Sequence, residues 1–127
     1  MLKLNILQSV AMALLFLTSP IFAQHAMEVA VPIGKSPGIS QIHSIIGVID
    51  SVDDSQQILT IADSSGTYTV TITDNTKIWL DKSKANKTNV TGSPTDCLPG
   101  RTVEVNFAET ERASSVTAEW IKVETAE

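Results

Sequence analysis

Lys77, Lys82, Lys84 and Lys87 cluster around Trp79 in a chain that carries 9 Lys+Arg against 14 Asp+Glu. Ammonium groups held close together attract an anionic partner, and an indole beside them offers an apolar or stacking face. An envelope polysaccharide or a lipid head group has the matching charge. The same residues also fit a solvated loop beside a core tryptophan, since runs of charge usually face water. Other residues capable of chemistry stand apart. His43 could bind a metal or move a proton, yet no companion ligand accompanies it, so it reads as a structural histidine. His25 lies near the expected mature amino terminus, where it could join the terminal amine on copper, but chance proximity is the better reading. Cys97 follows Asp96, and a catalytic thiolate needs an electropositive neighbour instead. Asp50, Asp53, Asp54 and Asp63 flank a hairpin without the ligand alternation and glycine of a calcium loop. No constellation identifies a reaction, a metal site or a cofactor, and the expectation is a protein that is not an enzyme.

The N-terminal residues carry an address. Met1-Leu2-Lys3 is a short positive start, Ile6 to Leu17 is largely apolar, and Ser19-Pro20-Ile21-Phe22-Ala23 ends in a small residue. This is the pattern of a secretory signal peptide over residues 1–23, shorter in its apolar part than a membrane span. It predicts a periplasmic or secreted protein beginning at Gln24, with no stable membrane span after cleavage. Loss of Lys3 leaves 9 − 1 = 8 basic residues against 14 acidic ones, a net charge of −6. Such a chain is a poor match for nucleic acid. One cysteine cannot close an internal disulfide, so Cys97 is buried and inert or pairs with another chain. Residues 24–40, with Pro32, Gly34, Pro37 and Gly38, read as a flexible leader. The alternation of Met27, Val29, Val31 and Ile33 leaves an edge strand as the competing reading.

Residues 41–124 make the expected domain, and its clearest stretch is Thr67-Tyr68-Thr69-Val70-Thr71-Ile72-Thr73. Tyr68, Val70 and Ile72 face one way and the threonines the other, the period of a half-buried strand. Ile42 to Val52 is a long β-rich run with Gly47 at its middle, which predicts a strand that bends as it changes partners. Gln57 to Ala62 is a further strand, joined to the threonine strand by the turn Asp63-Ser64-Ser65-Gly66. Thr76 to Leu80 either extends that third strand past a bulge or makes one of its own. Asp81 to Cys97 is polar and reads as one long loop, of the kind that is either functional or simply mobile, with mobility the preferred reading; it contains the sequons Asn86-Lys87-Thr88 and Asn89-Val90-Thr91, with Leu98 as a buried anchor after it. Val103, Val105 and Phe107 point inward on a fourth strand, with Thr102, Glu104 and Asn106 outward. Ser115 to Val123 is a fifth strand of mixed phase, which requires a bulge or burial of both faces. Five strands, a bent first one and a long connection before the fourth give an all-β, small five-stranded OB-like Greek-key barrel.

Several short motifs occur in this order: Gly47-Val48-Ile49, Val52-Asp53, Leu59-Thr60-Ile61, Thr76-Lys77-Ile78, Leu98-Pro99-Gly100-Arg101-Thr102-Val103-Glu104-Val105 and Ala118 to Ile121. Together they resemble a bacterial envelope domain family of unknown function, an OB-like small β-barrel over roughly residues 42 to 123. The resemblance implies a binding or interaction module whose partner is an envelope protein, a glycan or a small ligand, and it carries over no catalytic residues. A fainter likeness is to periplasmic copper-chaperone barrels, which place a tryptophan near methionines and a histidine. Here Trp79 is followed by Leu80-Asp81-Lys82, and the single methionine beyond the signal is Met27. The metal motif of that family is therefore missing from the sequence.

Overall fold

The computed structural model describes residues 28–126. The expected signal peptide, Gln24, His25 and Met27 lie outside the described residues. Seven strands follow in order: β1 (Ser44–Asp53), β2 (Ile58–Asp63), β3 (Gly66–Thr71), β4 (Lys77–Asp81), β5 (Val90–Thr91), β6 (Thr102–Phe107) and β7 (Ser115–Glu124). Within the described residues no helix is long and apolar enough to cross a membrane.

Five of these strands close on themselves. β1 pairs antiparallel with β2 and β6, β2 with β3, and β6 with β7, while β3 meets β7 in parallel and completes the ring. This is the Greek-key barrel expected from the sequence, with β7 inserted between β3 and β6. Closure leaves no free edge inside the ring, and a small core can then be buried from every side. Ile45, Ile61, Val70, Val103, Val105, Ile121 and Val123 fill it with no exposed surface. Each contributes roughly 1.5–3 kcal/mol by leaving water.

β1 bends where the glycine sits. It pairs with β6 through Ser44 to Val48 and with β2 through Val48 to Asp53, with a shift in register between Ile49 and Ser51. A methyl at Gly47 would stand 2.4 Å from the Ala62 carbonyl oxygen, so the chain can cross at this point only without a side chain. The turns are tied by short side chains as the sequence requires. The Asp53 carboxylate accepts from the Ser55 hydroxyl and the Gln56 N–H, and Asp63 accepts from the N–H groups of Ser65 and Gly66.

The third strand is interrupted. β3 and β4 both run parallel to β7, Thr71 against Thr117 and Lys77 against Trp120. From Thr71 to Lys77 is 77 − 71 = 6 steps against 120 − 117 = 3 on β7, so the excess chain loops out between the two strands. The Thr76 hydroxyl holds this loop by donating to the Ala118 carbonyl at 2.7 Å. Thr76 to Leu80 is thus a continuation of β3 with its own pairing.

Three expectations change. The stretch 81–97 is no mobile loop: a 3-10 turn at Ser83–Ala85, β5 paired with β4, and a 3-10 turn at Pro94–Asp96 with a capping box fold it back as a hairpin. Leu98 is 47% exposed, and Cys97, one residue earlier, fills the core in its place. Residues 28–43, expected in part as a flexible leader, run in successive turns across the outside of the barrel, tied down by buried charged side chains described below. Val29, Val31 and Ile33 make no strand.

Candidate functional site

The sheet formed by β4, β7, β6 and β1 has an outer face whose rows can be read from the register. Trp79, Lys122, Glu104 and Ile46 stand side by side across the four strands, and Lys77, Trp120, Asn106 and Ser44 form the next row. Glu119 sets this facing on β7. Asn106 pairs with Trp120 but Phe107 pairs with Ala118, so Glu119 is an extra residue that switches the phase. Val116 and Ala118 point inward before it, and Ile121 and Val123 after it. The mixed phase of the sequence is a bulge together with burial of both faces.

Glu104 and Lys122 have no exposed surface, although strand alternation places both outside the barrel. The N-terminal segment covers them. Glu104 accepts from the Gly34 N–H at 2.9 Å and from the Ser40 and Ser44 hydroxyls at 2.7 Å each. The Lys122 ammonium donates to Glu28 at 2.8 Å and to the Ser36 hydroxyl at 3.1 Å, and lies 4.5 Å from the Trp120 ring centre. Asp81 accepts from the Ile33 N–H at 2.8 Å and from the Ser83 N–H at 2.9 Å. Burial works to raise the Asp81 pKa, yet these donors and the Lys122 charge outweigh it and hold the carboxyl below its usual value. Among the described residues no buried side-chain polar atom is left without a partner. Alternation reports which way a side chain faces. It cannot report that a distant turn-rich segment covers that face, so nothing in the sequence marked Glu28, Ser36, Glu104 and Lys122 as one network.

The five residues of the expected partner surface separate into two groups. Trp79 is 8% exposed and packs against Trp120, ring centres 5.7 Å apart, so it forms a floor and offers no free stacking face. Lys77 is exposed at the start of β4. It stands between two grooves. One, of about 500 Å³, is lined by Thr73, Asn75, Thr117, Glu119 and the two tryptophans, and the other, of about 450 Å³, by Gln57, Asp74, Thr76, Thr91 and Pro94. Lys82, Lys84 and Lys87 lie past the far end of β4, on the hairpin that leads to β5. The backbone there is pinned: the Lys82 N–H donates to Asn89 at 2.9 Å, the Lys87 N–H to the Lys82 carbonyl at 3.2 Å, and the Gly92 N–H to the Ile78 carbonyl at 2.8 Å. Lys84 pairs with Glu124 at 2.9 Å at the surface, a contact that contributes little in water. Asn89 of the second sequon is buried in this hydrogen bonding, whereas Asn86 of the first is exposed.

The remaining candidates occupy separate places. His43 is exposed just before β1, its ring edge-on to Phe107 at 6.4 Å. Cys97 is 2% exposed, and burial, with the Asp96 carboxylate beside it, pushes its thiol up to about 11. Asp53 and Asp63 are occupied by their turns. Among the described residues no three His, Cys, Asp or Glu side chains converge.

No family model matches the chain, and no curated protein is significantly similar to it. Two solved structures are similar in part. A tryptophan-to-alanine variant of CusF with Cu(II) from Escherichia coli is 21% identical, with a TM-score of 0.44 over 66% of this chain and 92% of that one. Ag(I)CusF is 22% identical, with a TM-score of 0.41 over 65% of this chain and 97% of that one. The barrel assignment rests on the strand pairing of the chain itself.

Proposed function

We propose that the protein is an exported binding module of the cell envelope, without a catalytic role, that holds an anionic glycan along β4 and its hairpin. The pinned hairpin carries the reading: Lys82, Lys84 and Lys87 sit on a backbone fixed by Asn89 and Gly92, with Lys84 also held against Glu124, so the positive charge is gathered there before a ligand arrives. Lys77 adds a fourth cation beside two grooves whose linings combine hydroxyl and amide groups with one carboxylate each, Asp74 and Glu119, over the largely buried edges of the indoles. Hydroxyl-rich rings with one apolar face suit such a lining better than a lipid head group does. Export rests on the signal-like N-terminal sequence.

Retention on immobilised dextran sulfate, with uncharged dextran as the control, tests the proposal. The wild type is expected to be retained at low salt and released as salt rises, since exposed charge contacts are screened within about 10 Å at 0.1 M. Lys82→Glu/Lys84→Glu/Lys87→Glu should pass through unretained, while Ser64→Glu, an added negative charge in the exposed β2–β3 turn, should still bind. Equal retention of the triple variant defeats the reading. Cu(I) binding that disappears in His43→Ala would replace it with metal handling.

A further inference from the structure

The N-terminal segment is seated on the barrel without being part of it. None of residues 28–42 belongs to the hydrophobic core cluster, and none pairs with a strand of the sheet. Its principal ties to the outer face of β4, β6 and β7 run to side chains: Asp81, Glu104 and Lys122. Lifting the segment therefore breaks no ladder and opens no core. It returns three charged groups to water, which solvates them.

The connection between this segment and β1 is short and conformationally costly. Gly38 lies at φ +74°, and Gln41, which has a side chain, at φ +66°. A non-glycine residue in the left-handed region is strained, and it stays there only because the surroundings fix it. Here the Gln41 N–H donates to the Ser44 hydroxyl, and Arg112 donates to the Gln41 carbonyl. A strained short hinge, a detachable arm and a preformed receiving face are the three ingredients of segment exchange between identical chains. The exchanged form remakes the bonds to Asp81, Glu104 and Lys122, and it gives up the turn bonds of the hinge, from the Ile39 and Ser40 N–H groups to the Ser36 carbonyl, in return for release of the strain.

We propose that residues 28–36 of one copy seat on the barrel of a second copy, giving a two-fold dimer in which each Lys122 is paired by Glu28 of the partner subunit. The arm carries the acidic residue and the backbone N–H groups of Ile33 and Gly34 that this face accepts, so the occupant is specified by its charge pattern. A short tether holds its own arm at an effective concentration of about millimolar. The closed monomer consequently dominates in dilute solution, and the dimer grows with concentration.

Charge reversal in trans tests this. Glu28→Lys and Lys122→Glu each place like charges at the contact and should be monomeric with the arm released, read from the changed fluorescence of Trp79 and Trp120 at this face. Mixed, the two variants are complementary only across copies: a lysine arm meets a glutamate barrel, and a glutamate arm meets a lysine barrel. Native mass spectrometry should then show a heterodimer that neither variant forms alone. The hinge supplies a second measurement that leaves the seating residues intact. Gly38→Ala strains the closed form and should lower the wild-type dimer dissociation constant by tenfold or more, while Gln41→Gly relieves it and should raise the constant by a similar factor. A mixture that stays monomeric, or hinge variants that leave the monomer–dimer balance of the wild type unchanged up to millimolar concentration, overturns the proposal.

Discussion

Lys122 has no exposed surface, and its ammonium is met by Glu28 and Ser36, both from the N-terminal segment. Taking two charges out of water is costly, so such a pair adds little stability over apolar side chains of the same size. Losing one partner is what harms. Lys122→Ala should therefore cost about 1–3 kcal/mol in urea unfolding, because Glu28 can regain water only by lifting the segment. Glu28→Gln together with Lys122→Met should stay within about 1 kcal/mol of the wild type. A double variant as damaged as the single one would show that the pair itself is a major source of stability. Asp81 supplies a pH effect of definite sign. Its folded pKa is depressed, so its contribution is present in full above the unfolded value of 3.8 and disappears as pH falls through the folded value. Protection of the Ile33 amide, which donates to Asp81, measured against its intrinsic exchange rate, should fall at that acid limb, and Asp81→Asn should remove this dependence. At this scale the sequence was least informative. Glu104 reads as an outward strand residue and Lys122 as a lone charge, because their burial depends on contacts as much as 94 positions apart.

Strand facing was legible wherever a period of two ran undisturbed. Val70 is buried and Thr71 half-buried on the opposite face. Val70→Asp should leave the domain unfolded, since it buries a carboxylate without a partner, while Thr71→Asp should cost about 1 kcal/mol or less by thermal melting. Equal loss in both would reverse the facing assigned to β3. Gly47→Ala should cost more than about 2 kcal/mol, because the new methyl meets a carbonyl oxygen that a strand ladder fixes. The bend at Gly47 and the irregularity of β7 could be read from one strand at a time. The hairpin at 81–97 could not, because two-residue β5 and two 3-10 turns leave no periodic signal, and what orders them is pairing to β4 and the Asn89 side chain.

As a whole molecule the protein is a closed five-stranded ring extended by the β4–β5 hairpin and covered on one outer face by its N-terminal segment. Composition and strand order were enough to name the barrel, since closure follows from strand number and one long connection. The cover was not legible, as a turn-rich stretch looks alike whether it is docked or free. The signal-like sequence predicts an exported form starting at Gln24, which intact-mass measurement of that fraction checks. A species retaining Met1 to Ala23 in membranes would contradict it. The central claim, that β4 and its hairpin are the binding surface, is tested most directly by mapping amide shifts on adding dextran sulfate. The account predicts that the largest changes fall on residues 82–92 and around Lys77, and that they fade as salt rises. Changes centred on His43 and the β1–β2 strands, with the hairpin silent, would contradict it.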